Sequence, residues 1–220
     1  MDREFCMWRF NTEKFLYKEC WVANGRFKDS IFIDCEFINC EYAYVTLGKE
    51  YRNCKFNKIK EIEEVSYYDT VVIDSTYMNC KLKSVYYRAK FESVIFKNST
   101  VRLGLGLKNG KSKNIQFVNC LTRFTITGMV EDILVHNSKP DVDARIGFQG
   151  GDMKNIMIKD CPLMARFIFS TGTFNNISII NCKDPITRFS RLNLVNLFIK
   201  DSVVQHLAFD KSDVNGNNRI

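Results

Sequence analysis

Apolar residues recur along this chain in a six-residue phrase, apolar-x-apolar-x-Asn/Asp-Cys/Ser, seen as CEFINC (35–40), STYMNC (75–80), VIFKNS (94–99) and IQFVNC (115–120). It continues as ILVHNS (133–138), IMIKDC (156–161), ISIINC (177–182) and LFIKDS (197–202), with degenerate copies FLYKEC (15–20) and CKFNKI (54–59). The copies end at 20, 40, 59, 80, 99, 120, 138, 161, 182 and 202, a period of about twenty. Nine of these ten last positions are Cys or Ser, and the residue before them is Asn or Asp in eight. The third position was free to vary, yet it reads Tyr17, Phe37, Phe56, Tyr77, Phe96, Phe117, Val135, Ile158, Ile179, Ile199, aromatic or β-branched throughout.

Alternation of period two within each phrase predicts a short strand with one buried face. Such a strand has no stability alone, and stacking each twenty-residue coil on the one before is the remedy. At ~4.8 Å per strand, ten coils make a rod roughly 48 Å long. The pattern therefore predicts an all-β, single-domain parallel β-helix, a solenoid of about ten coils over 20–209, with 1–19 as an N-terminal coil or cap and 210–220 as a polar C-terminal tail. A small Cys or Ser fits where the chain turns a corner. Asn or Asp beside it tolerates left-handed geometry, bonds the turning backbone, or bonds its stacked equivalent in a ladder.

A finer beat of five begins at Cys20, in CWVAN, GRFKD, SIFID, CEFIN and CEYAY, with a small residue first and an apolar residue third. It returns in TVVID, STYMN and CKLKS over 70–84 and in LFIKD, SVVQH, LAFDK and SDVNG over 197–216. In these beats the chain resembles the pentapeptide-repeat family. The resemblance implies a right-handed, four-sided β-helix whose small and apolar beat residues point inward. It also implies interaction rather than catalysis, since some members protect or inhibit DNA topoisomerases as acidic rods that mimic duplex DNA, and others are interaction domains of bacterial effectors. The chain departs from the family in lacking the Ala-Asp-Leu beats of its most regular members and in placing Glu61, Pro140 and Asp184 at inward positions, where bulges or loops are expected. A less regular right-handed β-helix, as in polysaccharide-degrading enzymes and phage tail proteins, keeps the same architecture.

Composition narrows the function classes. The 220 residues are 45% hydrophobic and 26% charged with only 3 prolines, an ordinary globular chain. No run of 18 uncharged apolar residues occurs, and the opening MDREFCMWRF is interrupted by charge, so no signal peptide, membrane span or membrane partner is expected. An odd nine cysteines without such a signal point to reduced thiols in a cytoplasm. The pairs Cys20/Cys40, Cys35/Cys54 and Cys161/Cys182 should stack on successive coils, along the rod rather than around a metal, so neither metal site nor cofactor is expected. The net charge of +7 argues against DNA mimicry, and docking on a topoisomerase would have to use a local acidic run such as EIEE at 61–64.

No nucleophile, base and oxyanion donor are gathered by the pattern, so the chain reads as a non-enzyme. His136 and His206 fall three coils apart, roughly 14 Å along the rod, too far to share a dyad, and His136 reads as a solvated surface residue. The segment LGLGLKNGKSKN (103–114) misses phosphate-loop spacing and reads as a Gly-Lys loop protruding between coils five and six. Asp141, Asp143 and Arg145 alternate within the 139–152 segment and carry the polysaccharide-acting or virion alternative. Lys81, Lys83, Arg88, Lys90, Lys97, Arg102, Lys108, Lys111 and Lys113, against the single acid Glu92, form a basic band that carries a nucleic-acid alternative. The favoured site is a stripe of outward residues that should be polar and are not: Ile38, Met78, Ile95, Val118, Leu134, Met157, Ile180 and Phe198. An exposed apolar stripe marks a surface for a protein partner or for a second copy in a homodimer.

Overall fold

The computed structural model describes residues 12–14, 16–23, 30–47, 49–63, 65–141, 145–162, 166–183, 186–203 and 206–219. Among them the regular elements are β-strands, and consecutive coils pair in parallel. The repeat sets the register. Tyr17 pairs with Phe37, then Phe56, Tyr77, Phe96, Phe117, Val135, Ile158, Ile179 and Ile199 follow in turn. The result is a parallel β-solenoid of about nine turns.

Each coil has four sides, which in an early coil are Ile31–Ile33, Glu36–Ile38, Glu41–Ala43 and Val45–Leu47, called below the first to fourth. The six-residue phrases form the second side. Between sides the backbone turns through a residue of positive φ, and these recur every five positions, as at Asp34, Asn39 and Tyr44 or at Asp69, Asp74 and Asn79. Left-handed geometry costs most side chains about 1–2 kcal/mol and suits Asn and Asp better. At two corners the side chains also form the expected ladders: Asn119 Nδ2 donates to Asn98 Oδ1 at 3.2 Å and Asn137 Nδ2 to Asn119 Oδ1 at 2.9 Å. On the other, Asn176 reaches Asn155 at 3.0 Å and Asn196 reaches Asn176 at 2.9 Å.

The Cys or Ser after each corner does more than fit. Its side chain donates to the carbonyl two residues back, which also accepts a backbone N–H from the preceding coil: Cys35 Sγ to Ile33 O at 3.3 Å, Cys80 Sγ to Met78 O at 3.2 Å, Ser99 Oγ to Lys97 O at 2.8 Å. Serines at these corners also accept from the previous coil, Cys80 N to Ser99 Oγ at 3.0 Å and Cys120 N to Ser138 Oγ at 3.1 Å. A small residue carrying an X–H donor meets both demands, which explains the alternation of Cys and Ser where Ala would fit by size.

Inside, aromatic rings stack up the rod. On the second side, Tyr17, Phe37, Phe56, Tyr77, Phe96 and Phe117 stack with centroids 4.3–5.0 Å apart. The second side then turns aliphatic, and the stack crosses the core through Phe117–Phe124 at 4.3 Å to the fourth side, where Phe148, Phe169, Phe189 and Phe209 continue it at 4.9–5.1 Å. Each such pair adds about 0.5–1.5 kcal/mol beyond burial.

Glu61 and Pro140 themselves keep register, with Tyr42 and Thr122 respectively, and the expected irregularity follows directly after them: the offset to the preceding coil grows from 19 residues at Glu61 to 20 at Val65 and from 18 at Pro140 to 22 at Ile146, while Asp184 lies outside the described residues. Two expectations change here. Leu103 to Leu107 are not loop: they belong to the strand Thr100–Val118, with the three leucines buried, and the surplus residues are taken up between Leu107 and Ser112, where register against the next coil shifts. Residues 213–215 and 219 of the expected tail continue the ladder, Asp213–Asn215 against Asn193–Val195 and Arg219 against Phe198, because the backbone of the last coil still needs partners. The expected cap at 1–19 is described only at 12–14 and 16–19.

Ser99→Ala removes both the donor to Lys97 O and the acceptor for the buried Cys80 N–H, and is expected to cost about 1–3 kcal/mol. Ser99→Cys should recover part of the loss. Thermal melts of the two variants beside the parent check this, and equal melting of Ser99→Ala and parent would refute the corner role.

Candidate functional site

The eight stripe residues stand on the second side, at the two outward positions that flank the buried central residue. Ile38, Met78, Val118 and Ile180 lie in one column, whose rungs run Ile38, Asn57, Met78, Lys97, Val118, His136, Lys159, Ile180, Lys200. Ile95, Leu134, Met157 and Phe198 lie in the parallel column two residues away, running Thr76, Ile95, Gln116, Leu134, Met157, Ser178, Phe198. From Met78 to Phe198 every coil contributes one apolar residue, which alternates between columns in places, and its companion is polar or cationic. Met157 is 41% exposed and Met78 36%, and the other six are half-buried. Leu16, 54% exposed at the foot of the second column, belongs to the same side, and its degenerate phrase hid it.

The cations on this side are Lys18, Lys55, Lys97, Lys159 and Lys200, with His136 beside them. Lys55 Nζ meets Glu36 at 2.8 Å, and His136 Nε2 lies 3.1 Å from Asp160 Oδ2. The Asn181 amide, then His136 and Lys159, hold the Asp160 carboxyl below the usual range. His136 is therefore a paired, half-buried residue rather than a freely solvated one. The side chain of His206 lies outside the described residues.

The basic band wraps the rod instead of covering one face, and much of it is neutralised. Arg88 pairs with Asp69 and Lys111 with Glu131; Lys90 and Lys113 share Glu92 at 3.4 and 2.9 Å; Arg102 Nε meets Asp141 Oδ2 at 2.5 Å. Lys81, Lys83 and Lys97 are exposed, and the Lys108 side chain lies outside the described residues. Asp69, Glu131 and Asp141 come from other coils, at sequence separations that a count along one segment does not see, whereas Glu92 lies within the band itself. Asp141 is buried at 8% exposure against Arg102, so it is not free to pair with Asp143, which lies outside the described residues; Arg145 is exposed.

The cysteine ladders are internal. Cys35, Cys40, Cys54, Cys80, Cys120, Cys161 and Cys182 are free and buried, whereas Cys20 is disulfide-bonded, which corrects the expectation of thiols throughout. Burial pushes the Cys54 and Cys80 thiols up to about 12 and Cys120 to about 11. The hydrogen-bonded Cys182 sulfur, together with burial, pushes Cys161 up. Among the described residues no group of three metal-ligating side chains converges, and no helix is long and apolar enough to cross a membrane.

Glu61 points into the core, so the EIEE run presents one carboxylate fewer than its sequence promises; Glu63 is exposed and Glu64 lies outside the described residues. Its oxygens accept from Lys83 N at 2.5 Å, Ser84 Oγ at 2.6 Å and Tyr67 Oη at 3.5 Å. Around it lie the buried rings of Tyr42, Tyr67 and Tyr86. Burial raises the carboxyl to about 7, against the hydrogen bonds, which lower it. This polar centre was invisible in the repeat, where position 61 is a plain violation.

No protein-family model matches the chain, and no curated protein matches it. Among solved structures it is similar to HetL, a pentapeptide repeat protein involved in heterocyst differentiation regulation from the cyanobacterium Nostoc sp., at 7% identity over 91% of this chain and 87% of that one, with a TM-score of 0.38. It is also similar to QnrB1, a plasmid-mediated fluoroquinolone resistance protein, at 8% identity over 93% of this chain and 92% of that one, with a TM-score of 0.39. At these scores neither likeness adds to the fold drawn from the chain's own register.

Two measurements follow from the interior. Glu61 is protonated in both folded and unfolded chains below about pH 4.5; between there and about 7 only the folded chain keeps the proton, so stability falls as pH rises through that window. The loss reaches about 3 kcal/mol above it. Melting temperature should therefore drop between pH 5 and 8 more in the parent than in Glu61→Gln, and parallel pH profiles would contradict this. The seven free thiols should react with a disulfide reagent at pH 8 only as fast as the chain unfolds, read site by site by mass spectrometry.

Proposed function

We propose that this protein is a non-enzymatic rod that binds a protein partner along its second side. The observation that carries the reading is the unbroken run of one outward apolar residue per coil from Met78 to Phe198, on a flat side whose companion positions include Lys97, Lys159 and Lys200. The Asp141 carboxylate is held by Arg102, which supports interaction over glycan cleavage at that segment. The basic band, largely paired with acids of neighbouring coils, supports nucleic-acid binding less.

The chemistry of the side describes the partner. Rungs repeat at ~4.8 Å, close to the ~5.4 Å pitch of an α-helix. An amphipathic helix with a narrow apolar seam and acidic flanks, laid along the rod, would seat apolar residues over successive rungs and carboxylates near the lysines. A second copy of this chain is the other occupant, joined stripe to stripe, although its lysines would then face lysines.

The test compares the parent with Met157→Glu/Phe198→Glu and with Lys81→Glu/Lys83→Glu, all first checked for folding by melting. In-cell crosslinking with quantitative mass spectrometry should show one protein partner lost, by tenfold or more, only in the first variant; about 2–3 kcal/mol for two buried anchors corresponds to that change. Retention of the partner by that variant, or its loss only in the lysine variant, would overturn the assignment. Sedimentation velocity of the purified chain distinguishes a homodimer.

A further inference from the structure

The stretch Leu103–Gly104–Leu105–Gly106–Leu107 turns three leucines into the core and two glycines outward on the fourth side. Neither glycine has a positive φ. At Gly104 an added Cβ would lie 3.4 Å from Val85 Cγ1, an ordinary contact, so neither backbone nor space demands glycine there. At Gly106 the same atom would approach Tyr86 O at 3.1 Å, a tighter fit. What the pair achieves is a rung with no outward side chain at all.

The neighbouring rungs are furnished. Val85 and Tyr87 flank the glycines in the coil before, Thr125 and Thr127 in the coil after. With rungs ~4.8 Å apart, the missing one leaves a slot about 9–10 Å between wall backbones. It is a cavity of about 340 Å³, floored by Gly104 to Gly106 and bordered at one end by Arg88. Tyr87, 44% exposed, stacks on Tyr68 at 4.7 Å with 13° between the rings. Tyr68 belongs to the coil on the far side of Tyr87 from the slot, so one ring face is taken and the other borders the vacancy. At the other end of the slot Arg102 and Arg123 stand in register on adjacent coils.

We propose that this slot is a second binding site, which receives an aromatic side chain from an extended acidic segment of a protein partner. The inserted ring takes the next place in the Tyr68–Tyr87 stack, at the spacing the protein uses throughout its core. The segment runs along the strand direction; one carboxylate meets Arg123, which stands beside the Arg102–Asp141 pair, and the other shares Arg88 with Asp69. The site lies on the side opposite the apolar stripe and stands or falls independently of it.

The experiment is a ¹⁵N NMR titration of the full chain with acetyl-Glu-Phe-Glu-amide, following the Gly104 and Gly106 amide signals. Acetyl-Glu-Ala-Glu-amide and uridine monophosphate serve as comparisons. The expected result is saturable movement of both glycine signals with the Phe peptide, affinity about tenfold weaker for the Ala peptide, and weakening as salt is added. Gly104→Thr, which puts a side chain beside the place of the inserted ring, should abolish movement of the remaining Gly106 signal with melting unchanged. Tyr87→Ser provides the same loss without filling the slot, should the first variant fold poorly. Equal binding of the Phe and Ala peptides, an unaltered response in both variants, or binding of the nucleotide but not the peptide would each overturn the proposal.

Discussion

The structure depends on one constraint, the in-register stacking of each coil on the last. A strand of three residues has almost nothing to hold it except the copies above and below, so every inward side chain meets its own equivalent ~4.8 Å away. Flat rings satisfy that spacing best, and the ring column from Tyr17 to Phe117 is the outcome. When the column leaves the second side it does so through one lateral contact, Phe117 on Phe124, and resumes on the fourth side. The interior keeps a stacked aromatic spine while each side is free to change its side-chain type.

Stacking also dictates the corners. The coil closes only if the chain turns through left-handed residues, and carbonyls before these turns, such as Ile33 O and Lys97 O, accept a backbone N–H from the preceding coil. Cys and Ser add a second donor to them from two residues on, and Asn and Asp occupy the turn itself and bond along the rod. The thiols are thus structural donors in a buried column, and burial raises those of Cys40, Cys54, Cys80 and Cys120.

Because the frame is so uniform, its departures carry the individuality of the molecule. Glu61 places a carboxyl among the buried Tyr42, Tyr67 and Tyr86 and makes the rod's stability respond to pH. Gly104 and Gly106 erase one rung of the fourth side, and the apolar residues of the second side put grease on a surface where the repeat asks for polarity. Charges behave differently: a coil places residues about twenty positions apart side by side, so cations that cluster in sequence find acids on the next coil. Arg88 with Asp69 and Lys111 with Glu131 are such pairs, and they take much of the force from the basic band.

The sequence by itself determined the architecture, the rung register from Tyr17 to Ile199, the turn-forming Asn and Asp, and the side on which the apolar stripe lies. A period of twenty with alternation inside it has one way to bury its apolar face, and that way fixes which residues point out. Tertiary structure decided what the outward and inward positions do once neighbours arrive. Asp141 became the partner of Arg102, His136 of Asp160, and Glu61 turned inward in register to bond Ser84 and Lys83 N. The Leu-Gly-Leu-Gly-Leu stretch, legible only as a loop, became a strand with a slot above it. These outcomes rest on contacts between residues about twenty to forty apart, set by which side chains share a rung or a corner, and the pattern along one strand carries no record of them.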